Sequence, residues 1–167
     1  MRDGTIFVTK NRNFGDFWVN MFSNLVEFFT GQPYVHAEIW CKGHRYGSIG
    51  GGPRKTANTP SGKHHVYLEP KRTLTKEETE KMYSYLESKL DGTGYNVFKL
   101  IVLALVYPTR WFWKWIGWVP FQWDVYGVIC SVYVDEAYKA AGINLLPGYE
   151  EYTSPGDFLR SNKLRRR

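Results

Sequence analysis

Tyr34-Val35-His36-Ala37-Glu38-Ile39-Trp40-Cys41, then Lys42-Gly43, then His44-Arg45-Tyr46-Gly47-Ser48-Ile49 is the stretch on which the fold turns. Residues 34–41 alternate and are rich in β-formers, the pattern of a half-buried strand. Lys42-Gly43 supplies a turn into a second run, so the two segments read as a hairpin. With a side-chain period of two, His36 and Glu38 face the same side of their strand, and a carboxylate comes within reach of an imidazole.

Around this hairpin the chain alternates between short strands and helices. Thr5-Ile6-Phe7-Val8 is a strand after the turn residues Asp3-Gly4. Across residues 16–29, Phe17, Trp18, Met21, Phe22, Leu25, Val26, Phe28 and Phe29 recur at helical spacing, and Thr30-Gly31 followed by Pro33 stops the helix. Gly50-Gly51-Gly52-Pro53 ends the second hairpin run, and a polar loop leads to a third strand at 64–68. Thr75 with Glu77 and Glu78 opens a helix to about Leu90. Residues 95–106 read as a helix that is apolar almost all round, broken by Pro108. Residues 129–141 form another, closed by Gly142, and Ser154-Pro155-Gly156-Asp157 begins a last short one. No repeat or linker divides the chain. The expected architecture is α+β, one domain over 1–161 in which a small antiparallel sheet packs against helices.

Composition narrows the function classes. A chain of 167 residues with 17% aromatic content is too rich in core formers to be disordered. Two cysteines, Cys41 and Cys130, cannot build a disulfide scaffold. No cysteine pair has ligand spacing, and His64-His65 would point to opposite faces of a strand, so neither a metal nor a cofactor is expected. The formal charge of +6 is concentrated late in the chain, where Arg165, Arg166 and Arg167 follow Arg160 and Lys163. Residues 162–167 read as a basic tail, a frayed terminus or a contact for phosphate, with no specific nucleic acid expected. Residues 1–10 have no long apolar stretch, so no cleavable signal peptide is expected; the default location is cytoplasmic, with a phage- or membrane-associated setting as the alternative.

The aromatic excess is local. Five of the seven Trp lie between Trp111 and Trp123. The uninterrupted apolar run at 100–107 is eight residues, far short of the roughly 20 that span a bilayer. The Trp-rich insertion at 107–123 is therefore read in two ways. Trp111, Trp113 and Trp115 lie at a membrane surface beside Arg110 and Lys114, or the segment folds over the core and lines a substrate groove.

For chemistry, Cys130 stands at the start of a helix, where the thiol is most easily ionised, whereas Cys41 ends a strand and reads as a small buried hydrophobe. His36 is the histidine placed in an apolar strand with a carboxylate on its own face. A cysteine with an imidazole base and a carboxylate that orients the ring would be a nucleophilic triad. On the residues alone, the commoner reading is Cys130 as a packing cysteine and His36 as a satisfied core histidine.

Several segments, in order along the chain, resemble the NlpC-type papain-like cysteine hydrolases in their circularly permuted branch, which includes the YiiX-like proteins. Asp3-Gly4-Thr5-Ile6-Phe7 is similar to that family's first strand, and Phe29-Thr30-Gly31-Gln32-Pro33-Tyr34-Val35-His36-Ala37-Glu38-Ile39-Trp40 to the segment carrying its base. Cys130-Ser131-Val132-Tyr133-Val134-Asp135-Glu136-Ala137-Tyr138, with Ala141-Gly142-Ile143, resembles the nucleophile helix. Thr153-Ser154-Pro155-Gly156-Asp157-Phe158-Leu159 resembles the usual ending, and Gly94-Tyr95-Asn96 a Gly-x-Tyr-Asp site with Asn in place of Asp.

The resemblance implies a papain-like fold in permuted order and hydrolysis of an amide or peptide bond, with peptidoglycan peptides as the commonest target. Cys130 would be the nucleophile and His36 the base. The sequence departs from the pattern at the third polar residue, whose place falls at or near Ser48. Glu38, where the family has a small residue, is taken as the orienting group, with Ser48 assisting. Tyr95, Ser48 and Trp123 are the expected substrate contacts. The alternatives are a lipid-directed acyl hydrolase or acyltransferase, and a non-catalytic binding module that keeps the fold.

Overall fold

The hairpin forms as its turn dictates. Lys42 and Gly43 have φ of 47° and 78°, the pair of positive values that a two-residue hairpin turn needs if its twist is to match the strands. Strands β2 (Tyr34–Cys41) and β3 (His44–Ile49) therefore pair in the register Cys41↔His44, Trp40↔Arg45, Ile39↔Tyr46 and Glu38↔Gly47. Before them come β1 (Ile6–Lys10) and α1 (Phe17–Thr30), and after them β4 (Gly52–Thr56), β5 (His65–Pro70), α2 (Lys76–Ser88), α3 (Cys130–Ala140), a 3-10 helix (Pro155–Arg160) and β6 (Leu164–Arg166). This computed structural model describes residues 1–11, 17–49, 52–58, 64–91, 130–147 and 153–167.

The strands form one six-stranded sheet in the order β4-β3-β2-β1-β5-β6, antiparallel at every pairing. With α1, α2 and α3 this bears out an α+β architecture. Alternation divides the sheet by face. Ile6 and Val8 of β1, Ala37, Ile39 and Cys41 of β2, Tyr46 of β3 and Val66 and Leu68 of β5 join Met82 and Leu86 of α2 and Tyr133, Val134, Ala137 and Tyr138 of α3 in the buried core. His36, Glu38 and Trp40 fall on the other parity of β2.

Local chemistry sets the helix ends. Thr75 caps α2 in a reciprocal box, its Oγ1 accepting from the Glu78 N–H at 3.2 Å while the Glu78 carboxylate accepts from the Thr75 N–H at 2.8 Å. Gly142 ends α3 with φ of 77°. The N–H of Gly142 reaches the Lys139 carbonyl at 2.8 Å and that of Ile143 the Tyr138 carbonyl at 2.9 Å, a Schellman ending. The Tyr138 hydroxyl donates to the Gly4 carbonyl and ties α3 to the start of β1.

Two expectations are corrected. The polar stretch after Gly50 predicts a loop, but Gly52–Thr56 is the edge strand β4, pairing with β3 from Arg45↔Thr56 through Ile49↔Gly52. An edge position tolerates Pro53 and leaves Arg54 and Lys55 in solvent, so no apolar alternation marks it. The basic end is not frayed. Leu164 is buried, Leu164–Arg166 pairs with β5, and Arg165 and Arg167 lie 3.7 and 3.6 Å from Glu69. The helix expected at 95–106 and the insertion at 107–123 lie outside the described residues. Among the described residues no helix is long and apolar enough to cross a membrane.

Candidate active site

Cys130 is the first residue of α3 and is 7% exposed. The start of a helix carries unpaired N–H groups and a positive partial charge, which favour a thiolate. The site forms where the sheet opens. Trp40 donates its N–H to Thr5 on the β1 side at 2.8 Å, so by strand alternation Ile39 and Ala37 turn theirs toward β3. The β2–β3 ladder stops at Glu38↔Gly47, although β3 goes on pairing with β4 to Ile49. The Ala37 N–H is thus left free of β3, and it hydrogen-bonds the Cys130 sulfur together with the N–H of Ser131. The Ser131 hydroxyl donates to the Thr153 carbonyl at 2.5 Å and anchors this end of the helix.

His36 completes the contact. Its ring is in hydrogen-bond contact with Cys130, and its Nε2 lies 3.6 Å from Glu38 Oε1. That distance suits an ion pair and is too long for a hydrogen bond, in keeping with an Nε2 that makes none. Burial alone would lower the His36 pKa; the Cys130 thiolate, and after it Glu38, reverse this and raise it to about 10. Burial likewise pushes the Cys130 thiol up, but the His36 charge and hydrogen bond, with the two backbone N–H groups, bring it below its ordinary value. Burial also raises the Glu38 carboxyl, and His36, Arg45 and His65 more than offset this and hold it below the usual range. Each partner favours the charged form of the other, so the arrangement suits a thiolate–imidazolium pair backed by a carboxylate.

Of the expected site residues, Cys130, His36 and Glu38 are brought together. Ser48 is buried, but alternation along β3 puts it on the face opposite Gly47 and Glu38. Tyr95 and Trp123, and the membrane candidates Trp111, Trp113 and Trp115, lie outside the described residues. Cys41 is buried with its Sγ 4.0 Å from the Thr79 carbonyl, and burial raises its thiol to about 12.

Sequence reasoning passed over Arg45, whose Nε lies 3.4 Å from Glu38 Oε1, and Gly47, the cross-strand partner of Glu38. The signal was present, because a two-residue turn at Lys42-Gly43 fixes which residues of β3 face Glu38.

No family model matches the chain, and no curated protein does. Among solved structures it is similar to the crystal structure of the metalloprotein YiiX from Escherichia coli O157:H7 (DUF1105), with a TM-score of 0.64 and 17% identity over 99% of this chain and 96% of that one. Among the described residues no three His, Cys, Asp or Glu side chains form a group able to hold a metal ion. At this identity the likeness is one of fold, and over nearly its whole length the chain has the fold of YiiX.

Proposed function

We propose that this chain is a cysteine hydrolase acting on amide or peptide bonds, with a papain-like fold in circularly permuted order. The observation that carries the reading is the contact of a helix-start cysteine, Cys130, with a strand histidine, His36, that has Glu38 behind it. The chain order, His36 before Cys130, is that of the permuted branch.

The Cys130 thiolate adds to the substrate carbonyl carbon, and the C=O electron pair moves onto oxygen. Backbone N–H groups at the start of α3 receive that oxyanion in part. As the intermediate collapses, the C–N bond breaks and the His36 imidazolium gives its proton to the leaving amine, which leaves a thioester on Cys130. Neutral His36 then takes a proton from water as its oxygen attacks the thioester, and release of the acid restores the thiolate–imidazolium pair. Because Nε2 faces Glu38, Nδ1 is the ring nitrogen that serves sulfur and leaving group. Glu38 orients the ring and stabilises its charge. A peptide, including the stem peptides of peptidoglycan, is the substrate this chemistry suits.

The test is acyl transfer itself. Incubation with an activated acyl ester, followed by mass spectrometry, should find the acyl group on Cys130, absent from Cys130→Ala and strongly reduced in His36→Ala. Acylation elsewhere, or acylation of Cys130 that ignores His36→Ala, would contradict the assignment.

A further inference from the structure

Glycine weakens the interior of a strand, because it gains no side-chain packing and loses the most chain entropy, so a strand glycine calls for a local cause. Gly47 has no backbone cause: its φ is outside the positive region that the other conformationally special glycines occupy. The cause is the residue opposite. A Cβ on Gly47 would stand 2.7 Å from Glu38 Cγ and 2.9 Å from Glu38 Oε1, both inside contact distance. The missing side chain is a slot, and the Glu38 carboxylate fills it.

The second wall of the slot is charged. Arg45 pairs with Trp40 across the hairpin and reaches diagonally to Glu38, its Nε 3.4 Å from the same Oε1 that lies 3.6 Å from His36 Nε2. The Arg45 Nε is buried without a hydrogen bond, so it holds the carboxylate through charge. We infer that Gly47 and Arg45 of β3 are positioning residues that seat the Glu38 carboxylate against His36. This rests on the hydrolase reading above and extends it to two residues that touch neither the sulfur nor the substrate.

Among the described residues the charges around the site come from four elements: Cys130 on α3, Glu38 beside His36 on β2, Arg45 on β3 and, acting on Glu38, His65 on β5. Thr9 of β1, the cross-strand partner of His36, is uncharged and meets His65 Nδ1 through its hydroxyl at 3.1 Å. Displacing Glu38 therefore removes the single carboxylate in this group, and Arg45 and His65 act through it.

The experiment is a double-mutant cycle read through alkylation of Cys130 by iodoacetamide as a function of pH, in the full chain. In wild type the rate should show two steps, the lower from thiolate formation and the upper from loss of the imidazolium proton. Gly47→Ala should move the upper step down by about one pH unit, which is about a tenfold change in that proton's binding constant. In a Glu38→Ala background, Gly47→Ala should change nothing further, and Arg45→Met should likewise act only while Glu38 is present. A packing defect unrelated to the carboxylate would persist when Glu38 is gone, so additive effects would overturn the inference. So would an unmoved upper step in folded Gly47→Ala. Should Gly47→Ala fail to fold, the Arg45→Met arm decides. A wild-type Cys130 that titrates as an ordinary thiol in one step would bring down the hydrolase reading and this inference with it. Two steps in wild type with neither β3 variant coupled to Glu38 would remove the inference alone.

Discussion

Replacing Glu38 with Gln removes a charge from behind His36 and nearly preserves the side chain's size. Glu38 Oε1 and His36 Nε2 are 3.6 Å apart. Two unit charges at that distance attract by about 4.6 kcal/mol at an effective dielectric of about 20, and by about 1.2 kcal/mol in bulk water. The His36 side chain is 22% exposed, and Arg45 at 3.4 Å neutralises part of the same oxygen, so the lower part of that range applies. A loss of about 1.5–3 kcal/mol corresponds to about one to two pKa units. The sign follows from which form is stabilised. Glu38 favours the imidazolium, so removing its charge lowers the His36 pKa from about 10 toward roughly 8–9. NMR titration of the His36 ring in wild type and Glu38→Gln measures this directly, and acyl-transfer activity should lose its alkaline end over the same interval. An upper pKa that stays in place, or that rises, would refute the reasoning that Glu38 acts on His36 through charge.

Two further outcomes test the frame that holds the site. Thr75→Ala removes the reciprocal cap of α2 and should cost about 1 kcal/mol in urea unfolding with acyl-transfer rate retained. Leu86→Ala empties a fully buried position of the core beneath the sheet and should cost about 2–5 kcal/mol, read as a lower urea midpoint at an unchanged slope.

Much of this arrangement is local in origin and legible in the chain. The alternation of 34–41, the Lys42-Gly43 turn, the Thr75 cap and Gly142 each act within a few residues, and the hairpin, α2 and α3 stand close to where those signals put them. Edge strands escaped because their charged side chains face water. Arg54 and Lys55 of β4, and Arg165 and Arg166 of β6, carry no apolar period, and their pairing comes from the sheet beside them. The meeting of Cys130 with His36 is long-range. It depends on β2 and β3 parting after Glu38↔Gly47, which no local pattern marks; the residue types allow the pair without deciding it, and the family resemblance favours it. The Glu38 slot lay between these cases. Register fixed by the turn sets Gly47 against Glu38, but the reason for a glycine there shows only when the carboxylate is in place.

The central claim is that Cys130 and His36 form a charged pair in the resting protein. Thiolate absorbance in the ultraviolet, followed against pH in wild type, Cys130→Ala and His36→Ala, tests it most directly. Cys41 supplies the internal control, since burial holds its thiol near 12 and Cys130→Ala should stay silent through neutral pH. Wild type is expected to show one thiolate already formed at neutral pH, absent from Cys130→Ala and, in His36→Ala, appearing only at more alkaline pH. A Cys130 that ionises near the ordinary thiol value of 9, indifferent to His36→Ala, would contradict the claim.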